Sequence, residues 1–350
     1  MTWLPAAALA TLLLLASIQC WWVPPRWGPR LREQATLALF WLGAVALVPI
    51  AWPLALLLAL ALWRTRDPHD PAVLTWSGAG LLWAVTSSTP PATRWLLPAA
   101  IVIAALAQMP LLGWQGWTAR RLGLSYQQFS DALHGSMGSR IYCALLMATA
   151  LPFAPFWAWP LLIGALLAMN VAVAHGAALL GLAILYPAAV RWLLPVGLVA
   201  GVVLTGQRAN WEWVALRRLR CFGDGAGDRM TRWRLLWARF RRQSARAQWL
   251  GAGHHAYSVQ ARWWVSQRAV SHLHPHAHCD PLQFLLEGGV LGLGAIVALV
   301  ATSLVAGARW GDPLTAAVVG LLVASLIQYP FHLAHVGGPA LILLALLGAA

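Results

Sequence analysis

Residues 271–307, SHLHPHAHCDPLQFLLEGGVLGLGAIVALVATSLVAG, pass from a run of alternating histidines into an apolar segment. The apolar part begins near residue 284 and holds one acid, Glu287, close to its start. About 20 predominantly apolar residues are needed for a helix to cross the hydrocarbon core of a bilayer. This stretch therefore predicts a transmembrane helix over 284–307 that is entered directly from a histidine-rich segment.

The whole chain shares this apolar character. Of its 350 residues, 60% are hydrophobic and only 10% are charged, whereas about a quarter of a soluble domain is charged. Apolar runs recur from end to end, which predicts an all-α fold: a polytopic transmembrane helical bundle of about 10–12 spans. The 35–63 run contains Pro53 and is either one kinked helix or a tight pair. The predicted spans are 3–20, 35–63, 72–88, 95–113, 141–157, 159–174, 177–191, 193–206, 284–307, 313–330 and 336–350.

The positive charge of the chain comes from arginine alone. The formal net charge is +14, there is no lysine, and 13 of the 24 arginines fall between residues 207 and 283. The guanidinium group stays charged at any accessible pH and offers phosphate a planar pair of donors. This segment therefore predicts an anionic partner, either a phosphorylated substrate or the headgroups of membrane lipids. Nucleic acid is not expected as a partner, because the arginines lie between predicted spans and no recognition motif accompanies them.

Within the arginine-rich segment, residues 228–249 (DRMTRWRLLWARFRRQSARAQW) have helical periodicity. Four apolar residues follow the i, i+3, i+4, i+7 spacing of one helix face. They are Trp233, Leu236, Trp237 and Phe240. Arginines occupy most of the remaining surface. This pattern predicts an amphipathic helix that lies in the membrane interface, with tryptophans at headgroup depth and arginines near phosphates.

The histidine run ends in a motif with defined spacing. His278 and Cys279 are followed by nine residues and then by Gly-Val-Leu-Gly at 289–292. This pattern resembles the signature of the bacterial O-antigen ligase and polymerase family, in which a histidine precedes Asn, Ser or Gln, nine residues and G-x-x-G. The fuller family form, H-N-x-x-L-Q-x-x-x-E-x-G-x-x-G, is matched at Leu282, Gln283 and Glu287. Cys279 departs from it, since the family has an amide or a hydroxyl at that position.

Other segments resemble family features in the same order along the chain. Arg229 and Trp233 resemble the R-x-x-x-W of the family's periplasmic loop, and WLGAGHHAY (249–257) resembles its G-x-G turn. DALHGSMGSRIYCALLMATALP (131–152) looks like a worn form of the segment G-x-x-x-N-P-N and its following helix. SLIQYPFHL (325–333) resembles the near-terminal helix with an aromatic-proline pair. Together the resemblance covers residues 123–345.

One position departs more seriously from the family. The family carries Ser-Arg-Gly-Ala at the outer end of a helix, and its arginine contacts the donor diphosphate. The matching segment here is AVAHGAALLGL (172–182), which has His175 in place of that arginine. Arg208, in LTGQRANW (204–211), is a second candidate for the same role. Three alternatives follow: His175 acts in its protonated form, Arg208 substitutes for the arginine in space, or the protein is impaired.

The resemblance implies an enzyme of the bacterial inner membrane whose active site faces the periplasm. It implies transfer of a saccharide from an undecaprenyl-diphosphate carrier to a hydroxyl of lipid A core, of another glycan (a polymerase) or of a protein. No cofactor and no metal are expected, because arginines would neutralise the departing diphosphate. Residues 207–283 would form a periplasmic loop within an O-antigen ligase-like region, 114–350, preceded by N-terminal transmembrane helices over 1–113.

The family chemistry suggests a role for each candidate residue. His278 would take the proton of the acceptor hydroxyl, because imidazole titrates near neutrality. Arg229, with either Arg208 or His175, would clamp the diphosphate, and Glu287 would orient the histidine or close a helix contact. The residues expected to contact substrate are Arg232, Trp233, Gln283 and His276.

Two other classes of function stay open at this stage. The alternating histidines, with Asp280, have the residue types that bind zinc or copper, although a polar loop ending is the simpler interpretation. These histidines are His272, His274, His276 and His278. A non-catalytic lipid-binding or transport protein of the same fold is the other alternative, because the family arginine is missing.

Overall fold

A computed structural model of the protein describes residues 89–125, 132–137, 139–188, 229–253, 256–267, 277–328 and 334–349, with isolated positions at 79, 83, 86, 87, 128, 129 and 331. These residues are almost entirely helical, and no strand occurs among them, which confirms the all-α prediction. Three predicted spans, 3–20, 35–63 and 193–206, lie outside the described residues, as does nearly all of 72–88.

The described helices follow the apolar runs of the sequence. They are α1 (Leu96–Ala107), α2 (Met109–Arg121), α3 (Arg140–Ala150), α4 (Trp159–Met169), α5 (Ala172–Leu185), α6 (229–241), α7 (Ala245–Leu250), α8 (Ala256–Ser266), α9 (Asp280–Gly307), α10 (Pro313–Ile327) and α11 (Ala334–Gly348). Short 3₁₀ turns cover Pro91–Thr93, Leu151–Phe153 and Phe156–Ala158.

Two described helical segments are long and apolar enough to cross a membrane, Pro91–Arg121 and Asp280–Gly307. The first contains α1 and α2, which join at Gln108 just before Pro110. Proline has no amide hydrogen to continue the helical hydrogen bonds, and α2 carries it in its first turn, where that hydrogen is not needed. Shorter apolar helices pack around these two: Arg140–Phe153, Phe156–Met169, Ala172–Leu185, Pro313–Ile327 and Gly337–Gly348.

Helices α5 and α10 pack closely and run antiparallel. A Cβ at Gly320 of α10 would lie 2.9 Å from the carbonyl oxygen of Ala177 in α5. A Cβ at Gly181 would lie 3.3 Å from the carbonyl oxygen of Ala316. Because position 177 pairs with 320 and position 181 with 316, the start of α5 lies beside the end of α10.

The bundle therefore has two distinguishable ends. Helix α9 begins beside the end of α10, where the amide of Asp280 donates to the carbonyl of Gln328 at 3.2 Å. At the opposite end, the amide of Gly311 donates to the carbonyl of Ile184, near the end of α5, at 2.9 Å. We call the first of these the histidine end, because it carries His278.

Several helix boundaries differ from the predicted ones. Helix α9 begins at Asp280 rather than at 284, because Pro281 in its first turn starts a helix well even where the residues are polar. Asn170 adopts a left-handed conformation (φ 53°) that ends α4, so α5 begins at Ala172 and His175 lies in its first turn rather than between spans. Helix α2 extends to Arg121, eight residues beyond the predicted end of the 95–113 span.

The amphipathic helix forms over 229–241, but its buried face is rotated from the predicted one. Leu236 and Phe240 are buried, whereas Trp237 is 47% exposed. Arg232, which the sequence periodicity places outside the apolar stripe, is only 2% exposed. The reason is that α6 packs against protein. Its inner face joins a small hydrophobic cluster formed by Leu236, Tyr257, Ala261, Trp264, Ala277 and Leu286.

Candidate functional site

The site is built around His278, the histidine of the predicted motif. Its backbone has φ 54°, a left-handed conformation that is uncommon outside glycine. Its side chain is only 7% exposed. The ring Nδ1 lies 3.1 Å from the side-chain oxygen of Gln328 at the end of α10. An amide oxygen only accepts, so a hydrogen bond between these two atoms requires the ring hydrogen to be on Nδ1.

The segment that contains His278 is tied to the end of α10 by backbone bonds as well. The amide of Asp280 donates to the main-chain carbonyl of Gln328 at 3.2 Å. In return, the carboxylate of Asp280 accepts from the amide of Phe331 at 3.0 Å. Asp280 is 1% exposed and Gln328 is 3% exposed. Three bonds thus hold residues 278–280 against residues 328–331, away from water, where such bonds are hardest to replace.

A second set of hydrogen bonds reaches the same segment along α9. The side-chain oxygen of Gln283 accepts from the amide of Ala277, immediately before His278, at 3.0 Å. The amide nitrogen of the Gln283 side chain donates to the carboxylate of Glu287 at 3.3 Å. Gln283 therefore positions the backbone before the histidine.

Glu287 closes a contact between two helices. Its carboxylate accepts from the amide of Tyr257 at 3.4 Å, in the first turn of α8. The first amides of a helix have no partner within the helix and carry partial positive charge, so a carboxylate there is favourable. Two roles were predicted for Glu287, and these bonds form the helix contact. Glu287 is connected to the backbone before the histidine only indirectly among the described bonds, through Gln283.

The glycines of the motif have a backbone function. Gly289 has φ 68° and interrupts the helical geometry of α9. The interruption leaves carbonyls of the preceding turn available to amides from outside the helix. The amides of Ala252 and Gly253 donate to the carbonyls of Leu286 and Glu287 at 2.8 and 3.0 Å. The turn that resembles the family's G-x-G thus docks onto the kink made by the G-x-x-G.

No side chain fits where these two backbones meet. A Cβ at Gly251 would collide with the carbonyl of Glu287, and one at Gly289 would collide with the backbones of Trp249 and Gly251. Gly251 also has a positive φ of 81°. Both positions therefore require glycine for two independent reasons, conformation and space.

The R-x-x-x-W segment also reaches the histidine. The indole nitrogen of Trp233 donates to the carbonyl of Ala277 at 3.0 Å. Arg229 is four residues earlier on α6 and therefore lies on the same face of that helix. Arg232 lies on the buried face of α6, beside the hydrophobic cluster. The structure brings Trp233 and Gln283 to the residue before His278, with Arg229 one turn away from Trp233.

His175 lies at the same end of the bundle, but its ring is hydrogen-bonded to the last turn of α4. Its Nε2 donates to the carbonyl of Leu166 in the last turn of α4, at 2.8 Å. The register of α5 against α10 places His175 beside residue 322, six residues before Gln328, or about 9 Å along the helix axis. The position that resembles the family arginine is thus at the level of the site, with one ring nitrogen bonded to α4.

The remaining predicted residues lie outside the described part of the chain. These are Arg208 and His276, together with His272 and His274 of the metal alternative. Within the ranges that the structure describes, no three His, Cys, Asp or Glu side chains form a group that could hold a metal ion.

Gln328 contacts the candidate site, and sequence reasoning missed it. It lies in the segment SLIQYPFHL, in which the family resemblance depends only on the aromatic-proline pair. A signal was present, because an amide at the end of an apolar helix is costly to bury unless it has a hydrogen-bond partner. The sequence could not name that partner, which is 50 residues away.

Cys279 occupies the N-cap of α9. Its backbone is extended, and its thiol makes only a weak interaction with the backbone of Leu282 rather than a well-formed capping hydrogen bond. Burial raises the pKa of the thiol; the backbone of Leu282 lowers it and the charge of Asp280 raises it by smaller amounts, so the group is neutral at neutral pH. Asparagine and serine are preferred at an N-cap because their oxygen accepts from a first-turn amide. An amide or a hydroxyl at position 279 would therefore cap α9 better than the thiol does.

Comparison with known proteins adds no relative. No family model matches the chain, and no match was found among curated proteins. The resemblance to the O-antigen ligase family therefore depends on the motif residues themselves.

We expect the two adjacent glycines of α9 to differ sharply on substitution. Gly289→Ala places a methyl group against the backbones of Trp249 and Gly251 at a positive φ, which costs about 1–3 kcal/mol from conformation alone. Gly288→Ala is the control: no atom lies within 4 Å of its Cβ position, and alanine favours a helix by up to about 1 kcal/mol. Thermal unfolding of the purified variants in detergent measures the difference. Equal midpoints for the two variants would contradict the assigned kink.

The helix-cap interpretation of Cys279 makes its own prediction. Cys279→Ser supplies a hydroxyl acceptor for the first-turn amides of α9 and should raise the free energy of unfolding by about 1 kcal/mol. Cys279→Ala removes the thiol without adding an acceptor, and we expect no such gain. Chemical denaturation of both variants in mixed micelles provides the comparison. If serine is no more stabilising than alanine, position 279 is not a cap.

Proposed function

We propose that this protein is a polytopic membrane enzyme that transfers a saccharide from an undecaprenyl-diphosphate carrier to an acceptor hydroxyl, as in the O-antigen ligase family. The observation that carries the proposal is the meeting of separate motif segments at one place. Trp233 and Gln283 bond to the backbone before His278, Gln328 bonds to its ring, and the Gly251 turn packs on Gly289. These segments are far apart in sequence, and the family resemblance alone does not require them to touch.

In the proposed reaction His278 is the general base. The acceptor hydroxyl gives its proton to Nε2 as its oxygen forms a bond to the anomeric carbon of the donor sugar. The bond from that carbon to the diphosphate oxygen breaks, and undecaprenyl diphosphate leaves with the electron pair. Imidazole suits this step because it accepts a proton near neutral pH.

Arginine side chains stabilise the leaving group in this proposal. Negative charge grows on the diphosphate as the bond breaks, so guanidinium donors placed there lower the barrier. Arg229 is the described candidate, on the same face of α6 as Trp233. Residues 229–262 contain eight arginines and no acid, which favours an anionic ligand on this side of the protein. Arg208 is the preferred second cation, because the Nε2 of His175 already donates to Leu166.

The outward face of α6 and α7 is assigned to the membrane surface. The arginines at 234, 239 and 241 of α6, and the one at 242 just after it, are solvent-exposed. Trp237 and Trp249 are 47% and 58% exposed beside them. Tryptophan at headgroup depth with arginine near phosphates is the usual arrangement of an interfacial helix. This surface would hold the arginine-rich segment next to the lipid that carries the donor.

The site faces the periplasm in this proposal, and the C-terminus faces the cytoplasm, because α9, α10 and α11 follow the arginine-rich segment. We expect a membrane-impermeant maleimide to label Ala245→Cys on intact spheroplasts, in a background without native cysteines. Residue 245 is exposed at the start of α7. Trp310→Cys, 77% exposed at the opposite end of the bundle, is the control and should react only after permeabilisation. The reverse pattern would place the site in the cytoplasm and remove access to a periplasmic donor.

The catalytic role of His278 has a direct test. His278→Ala should reduce transfer by about 10²–10⁴-fold, the usual contribution of a general base. Cells that carry the variant as their sole copy should therefore accumulate the lipid-linked glycan. His272→Ala and His274→Ala are the matched histidine controls and should leave the lipid-linked pool low.

Two outcomes would overturn the proposal. If all three histidine variants fail alike and the purified protein loses stoichiometric zinc in each, the histidines form a metal site. If His278→Ala leaves the lipid-linked pool unchanged while the protein is folded in the membrane, the non-catalytic alternative is correct.

A further inference from the structure

We infer that Gln328 is a positioning residue that selects the tautomer of His278 and holds its ring; as a statement about catalysis, this rests on the proposed function. Gln328 lies in the segment 325–333, but the resemblance to the family there rests on the aromatic-proline pair and not on Gln328. It lies 50 residues beyond His278, at the C-cap of α10, and its side-chain oxygen is 3.1 Å from Nδ1 of the ring. Both side chains are buried, at 3% and 7% exposure.

The chemistry of this pair determines where the histidine accepts a proton. Neutral imidazole exists with its hydrogen on Nδ1 or on Nε2, and the other nitrogen is then the base. The amide oxygen of Gln328 cannot donate, so it stabilises only the form with hydrogen on Nδ1. The basic lone pair is consequently on Nε2, and the ring is oriented by a neighbour that does not itself titrate.

The backbone around the pair keeps this geometry in place. His278 has a left-handed backbone, which is unfavourable in a residue other than glycine and persists only where the surroundings enforce it. Here the amide of Asp280 donates to the carbonyl of the same Gln328, and the carboxylate of Asp280 accepts from Phe331. Gln328 therefore contacts both the ring of His278 and the backbone two residues later, so one residue fixes the position and the tautomer.

The ionisable groups closest to His278 lie on α9, and others lie on α6. On α9, Asp280 accepts from Phe331, and Glu287 accepts from Gln283 and Tyr257. The thiol of Cys279 is neutral because burial raises its pKa. On α6, the nearest cations in sequence to Trp233 are Arg232 and Arg234, the first buried and the second exposed. A carboxylate introduced at position 328 would therefore be a new charge next to Nδ1.

The first experiment needs no assay of activity. The protein is labelled with ¹⁵N-histidine, and the His278 resonances are identified as those that His278→Asn removes. At alkaline pH we expect the wild-type ring to show a protonated Nδ1 and an unprotonated Nε2. Gln328→Leu should shift the population toward hydrogen on Nε2, whereas Gln108→Leu, a matched change at another buried glutamine, should not. A wild-type ring that already carries its hydrogen on Nε2 would overturn the inference, even if neither variant folds.

The second experiment measures the rate of donor consumption by membranes as a function of pH. Gln328→Leu should lower kcat by roughly 100-fold or more with a smaller change in KM, because the base then has the wrong tautomer. Gln328→Glu should restore much of this rate and move the acidic limb of the profile upward by about one pH unit, since a carboxylate favours the protonated ring.

The two levels of the argument fail separately. If His278→Ala abolishes transfer but the Gln328 variants keep the wild-type pH profile, the inference about Gln328 is wrong and the proposed function stands. If wild-type His278 has its hydrogen on Nδ1 but His278→Ala retains full transfer, the structural pairing is correct and the catalytic proposal is wrong.

Discussion

The break of α9 at Gly289 is the constraint on which the site depends. A helix that continued through residue 289 would satisfy the carbonyls of its own preceding turn. The positive φ of Gly289 ends that pattern, and the carbonyls of Leu286 and Glu287 instead accept from the amides of Ala252 and Gly253. Buried backbone groups must find partners, so the kink and the turn stabilise each other. This contact holds the turn at 251–253, which lies between α7 and α8, against α9.

The polar groups at the histidine end form chains of bonds rather than isolated pairs. Gln283 links the carboxylate of Glu287 to the amide before His278, and Gln328 links the ring of His278 to the start of α9. In a medium of low effective dielectric, a complete chain of this kind is rigid, and the loss of one member leaves others unsatisfied at considerable cost. Neutral glutamines make the bonds to the ring of His278 and to the amide before it.

Much of the helix pattern was accessible from sequence, since apolar runs of sufficient length predict helices wherever they occur. The boundaries were less accessible, because they depend on single residues. Because Asn170 is left-handed, α5 begins earlier than predicted and includes His175. The sequence does not predict this, since asparagine in a loop can adopt several conformations. The rotated face of α6 is a similar case. Periodicity measures hydrophobicity and so places Arg232 outside the apolar stripe. The side chain is nevertheless buried, because α6 packs against protein, where its Leu236 joins a cluster with Tyr257 and Trp264.

By itself the sequence determined the apolar helical class, the concentration of arginine, and the spacing of His278 to the glycines. These follow from local composition, because each helix-length segment satisfies its own backbone hydrogen bonds and shows its hydrophobicity directly. Only the tertiary structure decided that Glu287 bonds to the first turn of α8, that His175 bonds to the last turn of α4, and that Gln328 bonds to the ring of His278. Such pairings depend on which helix ends share one side of the bundle. That arrangement arises from packing between distant segments, such as Gly320 against Ala177, and no local pattern records it.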